Sequence, residues 1–175
     1  VGLSMGGYVS FAFYRKYAER VRGLVLADTR AQADTEEART GRFDLAQTAF
    51  RKGPEAVAEI MIPKLFGATS LKSRPELIAK VRRMIESNEV SGIIVDSIAM
   101  ADRPDSLSLL PRITCPTLVI VGEEDQATPP AEAERIAKGI PGAKLSVIGG
   151  AGHLTNLEQP EQFNKLVGAF TAGLT

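Results

Sequence analysis

Ser4 lies within Gly2-Leu3-Ser4-Met5-Gly6, a G-x-S-x-G pentapeptide. A serine hydroxyl is a weak nucleophile until a neighbouring base takes its proton. The chain offers one imidazole, His153, in the run Gly149-Gly150-Ala151-Gly152-His153-Leu154. Such a base works best when a carboxylate holds its tautomer and stabilises its protonated form. Carboxylates available for that task include Glu123, Glu124 and Asp125 in one cluster, and Asp28 elsewhere. A serine, an imidazole and a carboxylate together suit attack on an ester or lactone carbonyl through a covalent acyl intermediate.

Three strand-like segments would have to bring these groups together. Thr117-Leu118-Val119-Ile120-Val121-Gly122 is a continuous apolar run rich in β-branched residues, as expected for a parallel strand buried on both faces. It leads directly into Glu123-Glu124-Asp125-Gln126. Gly23 to Thr29 reads as a second buried strand and ends near Asp28, and Ala143 to Ile148 reads as a third that leads into the His153 loop. In a parallel sheet all these loops lie at the carboxyl ends of strands, where ligands bind. The Ser4 turn demands strained backbone angles. Gly2 and Gly6 are expected to remove Cβ atoms that would collide across it, and Gly7 to ease close packing of helix on strand. A helix from Gly6 to about Ala18, with Val9, Ala12 and Phe13 on its apolar side, would aim its N-terminus at the site. The Met5 amide could then donate to an oxyanion.

The pentapeptide, the glycine-rich histidine loop and the Gly122-Glu123-Glu124-Asp125 segment resemble the nucleophile elbow, base loop and acid loop of α/β-hydrolase fold serine hydrolases. The order Ser4, Asp125, His153 is the order of that family. Asn156-Leu157-Glu158-Gln159-Pro160 is similar to the segment that follows the family's histidine. The resemblance covers nearly the whole chain and is nearest to esterases and lactonases of the 3-oxoadipate enol-lactonase type. It implies Ser4 as nucleophile, His153 as base, Asp125 as acid and the Met5 amide as one oxyanion donor, with no cofactor and no metal. Asp28 is the alternative acid, because some relatives carry theirs after that strand. Otherwise it caps the strand or pairs with Arg30. Glu123 and Glu124 are expected to be solvated. A serine nucleophile departs from haloalkane dehalogenases and epoxide hydrolases, which use aspartate. Cofactor-free haloperoxidases (perhydrolases) share the triad and stay open as an alternative.

Composition bounds the partners. Lys plus Arg equals Asp plus Glu at 21 each, a neutral balance that argues against nucleic acid and anionic membranes. No apolar stretch approaches the roughly 20 residues that span a bilayer. A small apolar ester or lactone is the expected substrate and the cytoplasm the expected location. The single cysteine, Cys115, excludes an internal disulfide and is expected to pack as a small apolar group.

The fold class is α/β: a partial parallel sheet of the family's last three strands, helices on both faces, and an inserted helical cap. Residues 1–32 and 103–175 are assigned to the core and 33–102 to the cap. That middle run is too long for a single crossover and shows only helical periodicity. Its stripes are Phe43, Ala46, Phe50; Val57, Ile60, Met61; Leu77, Val81, Ile85; and Val90, Ile93, Ile94, Ile98. Ser73-Arg74-Pro75-Glu76 reads as a capping box. Phe50, Met61, Phe66, Met84 and Met100 are candidates to line an apolar substrate pocket. Thr128 is expected to cap a helix beginning at Pro129, and Pro160 to begin a last helix with Phe163, Leu166, Val167 and Phe170 on one face.

In the family about half the sheet precedes the nucleophile, whereas here only Val1 does. The second oxyanion donor, from the loop after the third strand, is therefore expected from outside this sequence: from a missing N-terminal half, or with a second copy of the chain as partner. The strand at Leu24 is expected to present a raw apolar edge. A competing expectation is a catalytically silent hydrolase fragment that self-associates through that edge.

Overall fold

The computed structural model describes residues 1–174. Four parallel strands form one sheet in the order β1 (Gly2–Leu3), β2 (Leu24–Ala27), β3 (Thr117–Gly122) and β4 (Lys144–Ile148). Three of these match the apolar runs. β1 is the addition: two residues, too short to carry a periodic signal, yet paired with Leu26 and Ala27. The pairing changes the edge. All four residues of β2 are buried, and the exposed apolar side chains of the sheet are instead Leu145 and Val147 on β4.

Alternation along the strands divides the core in two. Leu24, Leu26, Val119 and Val121 face one side, where they meet Phe11 and Tyr14 of α1 (Met5–Tyr17) and Ala133 and Ile136 of α6 (Pro130–Gly139). Val25, Ala27, Leu118 and Ile120 face the other, under Phe163, Leu166, Val167 and Phe170 of α8 (Pro160–Ala172). Half-buried Cys115 packs at the margin of the first cluster, and burial pushes its thiol pKa up.

Helix α1 turns a different face inward from the one its sequence suggested. Gly7, Phe11 and Tyr14 are buried, while Val9 and Phe13 stand 60% and 42% exposed. Tyr14 accounts for the choice: its hydroxyl accepts a bond from the Thr114 amide, so the ring lies inward with its polar end satisfied.

The elements between 36 and 101 are all helices: α2 (Glu36–Leu65), α3 (Ala68–Ser73), α4 (Pro75–Glu86) and α5 (Val90–Ala101). α2 is two helices joined at Gly53, whose φ of 82° suits only glycine and which precedes Pro54. A third apolar cluster of Ile62, Phe66, Val81, Leu77 and Ile85 is joined by Leu154 and Leu157 from the segment after His153. Phe66 is thus core, 1% exposed, while Phe50 and Met84 are 75% and 52% exposed. Met61 and Met100 are half-buried. The Asp34 carboxylate, with no exposed side-chain surface, ties the junction by ion pairs to Arg42 at 3.1 Å and Arg103 at 2.8 Å.

Two caps differ from expectation. Ser73 closes α3, its hydroxyl donating to the Thr69 carbonyl, and Arg74 takes the N-cap position of α4, so the capping box does not form. Pro129 is the N-cap of α6 and Pro130 its first residue, one position later than expected. Thr128 is released from capping and serves Asp125 instead.

Candidate active site

Ser4 sits between β1 and α1 with φ 52° and ψ −114°, in the left-handed region. Neighbours hold it there. Its amide donates to the Ala27 carbonyl at 2.9 Å, and its own carbonyl accepts from the Gly7 amide at 2.9 Å and the Thr29 hydroxyl at 2.8 Å. Such backbone strain persists only where surrounding structure over-determines it. A Cβ on Gly2 would lie 2.3 Å from the Gly6 carbonyl oxygen, and one on Gly7 would lie 2.3 Å from the Thr29 hydroxyl. A Cβ on Gly6 would meet nothing within 4 Å among the described residues, so the crowding lies at Gly2 and Gly7.

The sheet's carboxyl edge brings Ser4, His153 and Asp125 into one line. The Ser4 Oγ lies 2.7 Å from His153 Nε2, and His153 Nδ1 lies 2.9 Å from Asp125 Oδ2. His153 and Asp125 are 4% and 3% exposed. Asp125 is held by the Ala127 amide at 2.8 Å and the Thr128 amide at 2.9 Å on Oδ1, and by the Thr128 hydroxyl at 2.7 Å on Oδ2. These bonds fix the carboxylate so that its second oxygen faces the imidazole. The Met5 amide opens α1, among the first-turn N–H groups that have no acceptor within a helix.

Asp28 does not touch the imidazole. Its Oδ1 accepts from the Gly122 amide at 3.0 Å and its Oδ2 from the Thr155 hydroxyl, tying the ends of β2 and β3 to the segment after His153. Burial raises its pKa from 3.8 to about 7, against the lowering effect of those two bonds and of His153. It does not pair with Arg30, whose guanidinium donates to the Ala127 carbonyl. Glu123 is exposed as expected. Glu124 is not simply solvated: it accepts from the Thr69 amide at 2.8 Å and hydroxyl at 2.5 Å, bonds that lower its pKa.

Sequence reasoning missed Thr128, Thr155 and Glu158. Thr128 had a competing local reading as a cap. The Thr155 hydroxyl's partner lies 127 residues away in the chain, and Glu158 joins its local amide partners to one 91 residues away, a link no local pattern signals.

The sequence pattern of the family described as alpha/beta hydrolase fold matches residues 1–160. The chain belongs to that family. It is 29% identical over 168 residues to 3-oxoadipate enol-lactonase 2 of Acinetobacter baylyi, covering 96% of this chain and 61% of the relative. Among solved structures, a thermophilic esterase from Thermogutta terrifontis superposes with TM-score 0.95 at 46% identity, over 99% of this chain and 64% of that one. The enol-lactonase from Burkholderia xenovorans LB400 superposes with TM-score 0.88 at 30% identity, over 98% and 64%. The chain therefore spans somewhat under two thirds of the length of these relatives. Among the described residues no helix is long and apolar enough to cross a membrane.

Proposed function

We propose that this chain carries the catalytic residues of a serine hydrolase that cleaves a carboxylic ester or lactone through an acyl-enzyme. One observation carries the reading: the continuous line from the Ser4 hydroxyl through the His153 ring to the Asp125 carboxylate, at 2.7 and 2.9 Å. In this mechanism Ser4 Oγ attacks the carbonyl carbon while His153 Nε2 takes its proton. Asp125 accepts from Nδ1–H and stabilises the imidazolium. The Met5 amide donates to the oxyanion. His153 returns the proton to the leaving alkoxide, then activates the water that releases the acid. For a lactone, the leaving oxygen stays on the same molecule and the product is a hydroxy- or oxo-acid. The names of the enol-lactonase and esterase relatives support the substrate class.

Residues 33–102 serve in this reading as a cap over the site, in which Met61 and Met100 are half-buried and Phe50 and Met84 exposed. The Met5 amide is the oxyanion donor that this reading assigns. Removing one such donor typically costs about 10²–10³ in turnover.

Intact-mass analysis after treatment with a fluorophosphonate tests the reading. A single adduct on Ser4 is expected, abolished in Ser4→Ala and slowed at least about 10³-fold in His153→Ala, in keeping with groups that act as a unit. An unlabelled Ser4 in the folded protein would overturn it.

A further inference from the structure

The loop that carries His153 is fastened to the helical segment as well as to the sheet, and one buried side chain takes part in that fastening. Glu158 is 1% exposed. Its Oε1 accepts from the Gly152 amide at 2.9 Å and the Leu154 amide at 3.2 Å, the two residues flanking His153. Its Oε2 accepts from the Gly67 amide at 2.9 Å, between α2 and α3. The His153 amide itself donates to the carbonyl of Leu65, the last residue of α2, at 3.1 Å. The backbones meet without intervening side chains, for a Cβ on Gly152 would lie 2.2 Å from the Gly67 nitrogen. Leu154 and Leu157 complete the helical segment's own apolar cluster. Arg74, at the start of α4, donates to the Glu158 carbonyl at 2.5 Å.

We propose that Glu158 is a positioning residue: its carboxylate joins the His153 loop to the Gly67 turn, so that the imidazole and the helical segment are placed as one body. The proposal rests on the triad reading of Ser4, His153 and Asp125. Within α7 (Thr155–Glu158) one oxygen of the carboxylate serves the amide of the N-cap residue Leu154, and the other reaches out to Gly67. A buried carboxylate is costly unless its oxygens are satisfied; two of the three amides that satisfy this one flank the base and the third belongs to the Gly67 turn. Glu124 repeats the pattern on the acid loop, where its carboxylate holds the Thr69 amide and hydroxyl of α3. Both loops that orient the imidazole are thus bonded to the same turn of the helical segment. A substrate that shifts that turn shifts His153 relative to Ser4, and a displacement of about 1 Å at such a site can cost on the order of 10²-fold in rate.

The test compares wild type with E158Q, each carrying ¹⁵N-histidine. His153 is the chain's one histidine, so its ring gives a single set of signals. In E158Q one acceptor oxygen becomes an NH₂ group that faces amide donors. The expected result is fluorophosphonate labelling of Ser4 slowed about 10- to 100-fold. The kcat for p-nitrophenyl acetate should fall by a similar factor with a smaller change in KM, and the ring signals should move from their wild-type positions. E158D keeps the charge but spans less, and its fall should lie between the two. It carries the same readouts if E158Q does not fold. A purely structural role would lower the unfolding midpoint while leaving the labelling rate and ring signals of the folded protein at wild-type values, and that result overturns the proposal. Absence of labelling in wild type would instead overturn the hydrolase reading, and the ring signals would still decide whether Glu158 positions the imidazole.

Discussion

Every residue of β2 and β3 is buried, whereas the helices between 36 and 101 carry some of the most exposed apolar side chains of the molecule, Phe50 at 75% and Val95 at 63%. The two strands hold no charged residue, whereas α2 and α4 intersperse charged residues with apolar ones. The regions also differ in how many sides are covered. A strand inside a sheet with helices on both faces buries each side chain whichever way it points, so an apolar run suffices. A helix on the outside must choose one face, and neighbouring helices make the choice. α5 shows how: its buried positions include Ser97 and Ala101, not its larger Val95 or Ile98. Small residues let a facing helix approach, since interaxial distance depends on the side chains at the contact.

The largest expected effect tests whether the sheet's end tolerates charge as the helices do. Asp28 loses its proton near 3.8 in the unfolded chain and near 7 when folded. Between those values the folded state binds more protons than the unfolded one. Its contribution to stability is therefore full below about pH 4 and is lost as pH rises toward 7. The gap corresponds to on the order of 4 kcal/mol. Asp28→Asn keeps an acceptor for the Gly122 amide and lets the Thr155 hydroxyl turn to accept. Urea unfolding from pH 4 to 8 should show wild type losing stability relative to this variant as pH rises. Parallel curves would mean that Asp28 titrates as an exposed carboxylate does, and the contrast between the regions would lose its electrostatic half.

A smaller effect concerns packing. Ile120 is fully buried among Val25, Ala27, Leu118, Ile148 and Phe163. Ile120→Ala should destabilise by roughly 3 kcal/mol, within the usual span for such core truncations. Chemical denaturation measures it directly. A loss under about 1 kcal/mol would mean that the core beneath α8 collapses readily onto the gap, which would place it with loosely packed surfaces.

What could be read in advance follows the same division. Ser4, Asp125 and His153 were legible because each sits at a strand end, where topology alone decides that the three edges converge. Asp125 was separable from Asp28 only by resemblance to an acid loop. In the structure Thr128 and the Ala127 and Thr128 amides hold Asp125 toward the ring, while Gly122 and Thr155 engage both oxygens of Asp28. The links of Glu158 and Glu124 to the helical segment were illegible because each runs to a backbone amide far away in the chain, and an amide has no residue type to read. The inward face of α1 was illegible for a related reason: Val9 and Phe13 make as good a stripe as Phe11 and Tyr14, and only the Thr114 amide breaks the tie.

The smallest expected effect is the most direct test of the comparison. Phe50 fits an apolar stripe with Phe43 and Ala46, yet only Ala46 of the three is buried. If exposure and not residue type governs its contribution, Phe50→Ser should change stability by no more than about 0.5 kcal/mol, as for surface substitutions away from special features. The hydrophobic term scales with area removed from water, and Phe50 leaves three quarters of its surface in water. Thermal and urea unfolding of the variant beside wild type supply the measurement. A loss above about 2 kcal/mol, which core phenylalanines show on truncation, would mean that this face of α2 is covered in the working molecule. The exposed stripe would then be an interface whose other side lies outside these residues, and the helical region would differ from the sheet in where its partner comes from and not in how it buries apolar surface.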